Sequence, residues 1–339
     1  MNIKWKIIKP PIPIIFLDTF FFIDLVRNRH ENKNSSYLQE ELRLVNLIIK
    51  LTKDKKLLCP QGDQKEEYEL GEYYKEGIRE EQDKISFGIK VKHRLSIYHY
   101  QRQKAIQAYV NSNQEIECNY MCLFYRDPLI ELDETLNSNI RISVHLPTTK
   151  IYRDKKRRIK KNIADEWEKI REDNIKHKIK YQDWVEQETL GTFYFLKNNI
   201  IKILIKSSDL TQQLTEEEMK AYMMWGELLN FYKHYSKRKA KTEDILNFLK
   251  SEHFASIPYI SIQSKLLTSI VTQTGKVRES DAFDSQQTSQ MLPFLTYFLT
   301  DSSLKHRITT NPLKLDKEYD IKVFSMREIE SLIKELESL

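Results

Sequence analysis

The stretch PIIFLDTFFFIDL, residues 13–25, places an aspartate where a buried strand should stop. Residues 14–17 are isoleucine, phenylalanine and leucine, which is typical of a strand buried on both faces. Residues 19–27 then predict a helix with Asp18 at its N-terminus. Open α/β sheets build their ligand sites at the carboxyl ends of parallel strands. The sequence therefore predicts that Asp18 lies at such an edge.

A second stretch, SDAFDSQQTSQMLPFLTYFLTD at residues 280–301, has the same ending near the other end of the chain. It predicts a helix over residues 281–291 and a strand over residues 296–300 that stops at Asp301. Asp281 and Asp284 lie on the helix. A single aspartate after a strand is often only a helix N-cap. Several acids that converge at one sheet edge would instead make a pocket for hard cations.

Strand and helix patterns alternate at both ends of the chain. Further strands are predicted at residues 56–59 and 321–324, and further helices at residues 64–74, 257–273 and 325–336. Between these ends helix signals dominate, including a capping box of Thr215 with Glu218 and a helix start at Thr242. We therefore predict an α/β fold with one parallel sheet flanked by helices. Residues 1–75 and 256–339 would form the two halves of this core, and residues 76–255 a large, mainly α-helical insertion.

The composition excludes several classes of function. The 339 residues are 40% hydrophobic, which is enough for a packed core. The seven glycines include no glycine-rich phosphate loop, so a nucleotide cofactor is not expected. Three cysteines suit a reducing compartment. Cys118 and Cys122 match no common zinc finger and are better interpreted as buried thiols.

The N-terminal residues imitate an export signal, because Lys4 and Lys6 precede an apolar run over residues 12–26. Asp18 and Asp24 interrupt that run, and an acid at a membrane centre costs roughly 2.5 to 3.5 kcal/mol. Three prolines, at positions 10, 11 and 13, also oppose a helix there. We expect a cytoplasmic protein with no membrane contact.

Basic residues concentrate in residues 150–180, which hold 13 Lys and Arg against 6 Asp and Glu. That local excess is larger than the net charge of +6 for the whole chain. A solvated helix laced with ion pairs is one interpretation. We favour contact with a nucleic-acid backbone, since basic clusters near aromatic residues are what phosphate binding requires. The candidate residues are Lys155, Lys156, Arg157, Arg158, Lys160 and Lys161.

Clustered carboxylates indicate a particular chemistry. Mg²⁺ and Mn²⁺ prefer oxygen ligands, and ions held by carboxylates can activate water and neutralise charge in phosphodiester hydrolysis. The segment LLCPQGDQKEEYE, residues 57–69, adds Glu66, Glu67 and Glu69 as further candidates. The sequence thus favours a metal-dependent hydrolase that acts on phosphate esters.

These motifs resemble those of PIN domains, as in VapC-type toxins. FLDTFFFIDLVR is similar to the opening strand, aspartate and helix of that family, residues 280–301 to its second half, and KVFSMREIESLIKEL to its terminal strand and helix. The resemblance covers roughly residues 12–75 and 257–339. It implies a PIN-like parallel sheet that holds Mg²⁺ or Mn²⁺ and cuts RNA, or less often DNA, leaving 5′-phosphate and 3′-hydroxyl ends.

The resemblance also implies roles for individual residues. Asp18 and Asp301 would be metal ligands on central strands, and Asp284 fits the acid on the helix better than Asp281. Glu67 first, and Glu66 next, would supply the acid that follows the second strand. Thr19 and Thr300 would orient these acids or a water molecule. Asp24 is interpreted as structural or as a surface residue.

The leading hypothesis is a metal-dependent endonuclease, with RNA favoured over DNA as its nucleic-acid partner. Toxin or antiviral defence roles, a regulatory protein partner and a homodimer follow from the resemblance alone. One alternative is a non-catalytic PIN-like protein that binds nucleic acid or serves in assembly. Another is a phosphatase on a similar core. The four acids Asp18, Glu67, Asp284 and Asp301 should meet within metal-bridging distance.

Overall fold

A computed structural model describes residues 3–31, 36–62, 72–138, 149–207 and 213–339. These residues form a mixed α/β structure in which short parallel strands are flanked by helices. The strands are β1 (Lys4–Ile8), β2 (Ile15–Leu17), β3 (Glu115–Asn119), β4 (Tyr297–Leu299) and β5 (Lys322–Phe324).

Helices account for most of the described residues. They are α1 (Thr19–His30), α2 (Ser36–Lys53), α3 (Glu72–Ser86), α4 (Arg94–Val110), α5 (Pro128–Asn137), α6 (Lys150–Lys176), α7 (Tyr181–Thr189), α8 (Gly191–Ser207), α9 (Glu216–Ser236), α10 (Thr242–Lys250), α11 (Glu252–Ala255), α12 (Pro258–Val271), α13 (Asp281–Met291), α14 (Ser302–Thr309), α15 (Leu315–Glu318) and α16 (Ile329–Glu337).

The central sheet brings the two ends of the chain together. Its order is β2-β4-β5, and both pairings are parallel, with Phe16 opposite Phe298 and Phe298 opposite Val323. Single parallel bridges continue this sheet beyond β2, from Ile14 to Leu58 and from Gln61 to Lys90. All these segments run in the same direction, so their carboxyl ends share one edge. The predicted parallel sheet is confirmed, although residues 56–59 contribute a single bridge, at Leu58, rather than a full strand.

Helices cover both faces of this sheet because side chains alternate along each strand. Phe16 and Phe298 point to one face and pack with Ile262 of α12 and Met291 of α13. On the other face, residues such as Leu17 pack against α1, α2, α3 and α16. Strands buried on both sides explain the continuous apolar runs IIFL and YFL.

The helical middle of the chain has its own apolar cluster, but it is joined to the sheet. Helices α4, α8, α9, α10, α11 and α12 pack around residues such as Phe248 and Phe254. The core beneath the sheet also includes Ile89 and Leu123, which lie beyond residue 75. A second parallel pair joins β1 to β3. The core therefore crosses the boundary predicted at residue 75, since the early part of the predicted insertion packs directly on the first strand.

Several predicted elements match the structure closely. Helix α13 has the predicted bounds, β4 and β5 lie within the predicted strands, and α10 begins at Thr242. The capping box is confirmed: Thr215 Oγ1 accepts from the Glu218 N–H at 3.2 Å, and Glu218 accepts from the Thr215 N–H at 2.7 Å. The helix predicted over residues 64–74 lies mostly outside the described residues. Among the helices that are described, none combines the length and apolar character needed to cross a membrane.

Candidate carboxylate site and basic helix

Asp18 follows β2 and begins α1, as predicted. Its backbone is extended, with φ −66° and ψ 156°, and its Oδ1 accepts from the Thr19 N–H at 2.6 Å. Its Oδ2 accepts from the Thr300 hydroxyl at 2.8 Å, and Thr300 is fully buried. The hydroxyl of Thr300 therefore contacts Asp18 directly, as its predicted orienting role requires. Thr19 contacts Asp18 through its backbone N–H.

Asp301 follows β4, the strand next to β2, and begins α14. Its Oδ1 accepts from the N–H groups of Ser303 at 2.8 Å and Leu304 at 3.2 Å, as in a helix N-cap. The same oxygen lies 3.3 Å from Nη1 of Arg278. Because β2 and β4 pair in parallel with Leu17 opposite Leu299, Asp18 follows β2 opposite Thr300, the residue before Asp301. Both acids therefore lie at the predicted edge of the sheet.

The first turn of α13 adds Asp281 and Asp284. Asp281 is buried and fully engaged by Arg278: its Oδ2 accepts from the Arg278 backbone N–H at 2.8 Å and its Oδ1 from Nε at 3.1 Å. Asp284 is more exposed, and its Oδ2 lies 3.7 Å from Nη2 of the same guanidinium. Asp284 is thus freer than Asp281 to bind another cation.

The pKa values of Asp18 and Asp284 are both raised, in part by neighbouring carboxylates. Burial raises the pKa of Asp18 to about 6, the Asp301 carboxylate adds to the rise, and the hydrogen bonds from Thr300 and Thr19 oppose it. Burial also raises the pKa of Asp284 well above its ordinary value, and the Asp18 and Asp301 carboxylates raise it further. Burial is thus the largest cause of both rises, and repulsion between the carboxylates is a smaller one that Arg278 partly offsets.

Two arginines at this site were not identified from the sequence. Arg278 lies among Asp281, Asp284 and Asp301; burial alone would lower its pKa, but the three carboxylates raise it overall. Arg307 of α14 is buried and donates from Nη2 to Gln273 Oε1 at 2.9 Å, whereas its Nη1 has no hydrogen-bond partner among the described residues. Burial lowers the pKa of Arg307, and the same acids oppose that shift. The three-residue spacing of Arg278 and Asp281 could have indicated the first pair, but no local signal marks Arg307.

Glu66, Glu67 and Glu69 lie outside the described residues. The last described residue before them, Gly62, lies beside α13. A Cβ at Gly62 would come 3.0 Å from Phe16 Cζ and 3.4 Å from Gln287 Nε2. Gln287 is one helical turn after Asp284.

The donor set suits a hard divalent cation in its chemistry. Four carboxylates face two guanidinium groups, which leaves an excess of two negative charges when all are ionised, and every acid donor is oxygen. The present spacing differs from a formed metal centre: within residues 3–31, 36–62, 72–138, 149–207 and 213–339, no three His, Cys, Asp or Glu side chains are grouped to hold a metal ion. The guanidinium of Arg278 contacts Asp281, Asp284 and Asp301. The predicted metal-bridging distance is therefore not seen for Asp18, Asp284 and Asp301.

The basic helix α6 lies against the acid-bearing helix α13. Its C-terminal half is attached to the segment that precedes α13: Glu168 accepts from the Val277 N–H at 3.0 Å, Asn174 donates to the Val271 carbonyl at 3.1 Å, and Arg171 donates to the Thr274 carbonyl at 3.2 Å. Val277 is adjacent to Arg278. The attachment thus places the basic helix next to the acids in space.

The N-terminal half of α6 carries the predicted nucleic-acid contacts. Lys155, Arg157, Arg158 and Lys161 are exposed, and the side chain of Lys156 lies outside the described residues. Lys160 Nζ lies 4.6 Å from the ring centroid of Phe283, the residue before Asp284. Part of the ion-pair interpretation also applies, since Lys155 helps to lower the pKa of Glu216, after the larger effect of its hydrogen bond with Lys220.

Within the described residues, the three cysteines do not form a second site. All three are free and buried, and the sulfur atoms of Cys118 and Cys122 lie 3.9 Å apart. The contact with Cys122, and after it burial, raises the pKa of the Cys118 thiol. The interpretation as buried thiols agrees with these contacts.

Comparison of the chain with protein-family models, with curated protein sequences and with solved structures found no match.

Proposed function

We propose that this protein is a metal-dependent endonuclease that hydrolyses phosphodiester bonds, with RNA favoured over DNA. The observation that carries the proposal is that Asp18, Asp284 and Asp301 lie near one edge of the sheet, beside a basic helix. Acids alone would suit many hydrolases, and a basic helix alone would suit any nucleic-acid-binding protein. Their juxtaposition favours a site that both holds and cuts a polyanion.

The acids have distinct roles in this proposal. Asp284 and Asp301 would hold Mg²⁺ or Mn²⁺, with Asp18 beside them and Glu67 or Glu66 as further candidates. The bound ion would supply Lewis-acid activation and neutralise charge on the phosphate. Asp18 is held in a fixed orientation by Thr300 and the Thr19 N–H. Its pKa near 6 lets it accept a proton from water close to neutral pH, as a general base must.

The basic helix would hold the substrate backbone. Lys155, Arg157, Arg158 and Lys161 are exposed and Lys160 lies beside Phe283 of α13, so phosphates bound to this segment would lie near the acid-bearing helix. Backbone contacts of this kind position a strand without reading its sequence. A PIN-like core, a toxin or defence role, a regulatory partner and a homodimer remain parts of the same proposal.

A second candidate function is binding of nucleic acid without cleavage. The observation that favours it is the guanidinium of Arg278, which already neutralises Asp281 and contacts Asp284 and Asp301. In that case the acids would serve the fold, and the basic helix alone would carry the function.

One assay separates the two candidates. Purified protein is incubated with labelled single-stranded RNA, tRNA and DNA, with Mn²⁺ or with a chelator. We expect Mn²⁺-dependent cleavage that is lost in Asp18→Asn and Asp301→Asn. Asp24→Asn is the matched control, because Asp24 lies in the same motif but pairs on the surface with Arg27 at 3.3 Å. Binding of nucleic acid without cleavage would support the second candidate. Cleavage that survives both substitutions would exclude Asp18 and Asp301 as catalytic residues.

A further inference from the structure

The guanidinium of Arg278 occupies the space that the acids enclose. It reaches three carboxylates at once: Nη2 is 3.0 Å from Asp281 Oδ1 and 3.7 Å from Asp284 Oδ2, and Nη1 is 3.3 Å from Asp301 Oδ1. Two of these acids, Asp284 and Asp301, are the proposed metal ligands. A cation already sits where a second cation would have to bind.

The contacts of Arg278 differ in strength. Its hold on Asp281 is close and multiple, since the backbone N–H, Nε and Nη2 all contact that carboxylate, whose side chain is 2% exposed. Its contacts with Asp284 and Asp301 are single and longer, and the arginine side chain is itself 40% exposed. Movement of the guanidinium away from Asp284 and Asp301 would break only these single, longer contacts, and the backbone N–H of Arg278 would still bind Asp281.

We propose that Arg278 is an internal counter-cation that competes with divalent metal for Asp284 and Asp301, and so sets the metal affinity of the site. This inference rests on the proposed function, because it takes those two acids as metal ligands. The guanidinium and the ion are mutually exclusive, since both need the same oxygens and two cations at one position repel each other. Arg278 would leave the two acids when the ion binds and return when it dissociates.

The test measures metal binding directly rather than cleavage. Binding of Mn²⁺ to wild-type protein and to Arg278→Gln is titrated by the electron paramagnetic resonance signal of free Mn²⁺. Removal of a competing cation should tighten Mn²⁺ binding by about tenfold. Arg278→Lys keeps a charge without the planar fork and should fall between the two. Arg126→Gln is the control, because it removes an exposed arginine bound to Glu134 at 2.7 and 2.9 Å.

A second measurement uses only the wild-type chain. Modification of arginine by phenylglyoxal, mapped by peptide mass spectrometry, should become faster at Arg278 when Mn²⁺ is added and stay unchanged at Arg126. This arm decides the matter if Arg278→Gln fails to fold. Unchanged or weaker Mn²⁺ binding in a folded Arg278→Gln variant, or no change in Arg278 reactivity, would overturn the inference.

The inference and the proposed function fail in different ways. Tighter Mn²⁺ binding in the variant without any cleavage by the wild type would uphold the competition and reject the nuclease. Mn²⁺-dependent cleavage with equal Mn²⁺ affinity in wild type and Arg278→Gln would support the nuclease and reject the competition. If neither protein binds Mn²⁺ at millimolar concentration, both are rejected.

Discussion

The chain turns from a strand into a helix at Asp18 and again at Asp301, and we call these two places corners. They have nearly the same local structure and very different surroundings. Both follow a buried three-residue strand and begin a helix, with φ and ψ of −66° and 156° at Asp18 and −64° and 156° at Asp301. Asp301 caps its helix through two N–H groups and contacts Arg278. Asp18 is 7% exposed and accepts from Thr300, the residue just before Asp301. The same local motif therefore supplies one charged cap and one buried acid whose pKa is raised to about 6.

Replacement of each aspartate by asparagine tests whether the two corners serve one site. It should change the cleavage rate more than any other substitution considered. Asp18→Asn and Asp301→Asn should each lower Mn²⁺-dependent cleavage by about 10² to 10⁴-fold, the range typical of an essential acid or base. Asparagine is a good N-cap, so the helices should persist. The double variant should be little worse than either single variant, because residues that act as a unit are not additive. Single-turnover rates measure this.

Independent corners would give a different result. The losses in the double variant would then multiply, and the comparison between the corners would lose its functional meaning. Circular dichroism of all three variants controls for unfolding.

Stability should respond in opposite directions at the two corners. The pKa of Asp18 is raised from 3.8 to about 6, so its ionised form penalises the folded state by about 3 kcal/mol above pH 6. This penalty declines as pH falls from 6 to 4, so the contribution of Asp18 to the free energy of unfolding should rise over that range. Asp18→Asn removes the penalty but also a charged acceptor, so it should stabilise the protein at pH 7.5 by about 1 to 2 kcal/mol.

Asp301→Asn should instead destabilise the protein by up to about 1 kcal/mol, because it removes a partly exposed ion pair with Arg278. Urea midpoints at pH 5 and 7.5 measure both effects. The pH-dependent difference between wild type and Asp18→Asn is the decisive quantity. If it is absent, Asp18 has no raised pKa and the contrast between the corners is wrong.

The hydroxyl of Thr300 links the two corners directly. Thr300→Val removes the donor to Asp18 Oδ2 with little change of volume and should cost about 1 kcal/mol in the free energy of unfolding. In the Asp18→Asn background the cost should shrink. Thr272→Val is the control, because that hydroxyl donates to the Thr268 carbonyl at 2.7 Å and contacts no acid. An equal cost in both backgrounds would show that Thr300 acts independently of Asp18.

The basic helix α6 would bind substrate for both corners, and substitutions there should have the smallest effect of all. Lys160→Gln and Lys161→Gln should each weaken RNA binding several-fold and lower the slope of log affinity against log salt by about 1. Lys176→Gln, at the other end of α6, should leave the slope unchanged. Fluorescence anisotropy at several salt concentrations measures this. Equal slopes for all three variants would separate the basic helix from the acid site.

Much of the fold could be predicted because it rests on local signals. The run before Asp18 and the run before Asp301 indicate buried strands, and the acids after them mark helix starts. Helix α13 has the predicted bounds. The bridges near Leu58 and Gln61 are too short to be full strands, and the packing of Ile89 and Leu123 under the sheet has no local signature. The predicted boundary at residue 75 therefore did not anticipate how far the core extends.

That Asp18 and Asp301 end strands and begin helices can be predicted from the residues next to them, because adjacent residues decide both features. The sequence also placed Asp284 one turn into a helix and concentrated basic charge on α6. Which side chains meet depends on the folded chain: Thr300 contacts Asp18, Arg278 contacts three carboxylates, and Lys160 lies beside Phe283. The reason is physical, since desolvation and Coulomb interaction depend on distance through space. Residues almost 300 positions apart in the chain can thereby set each other's charge.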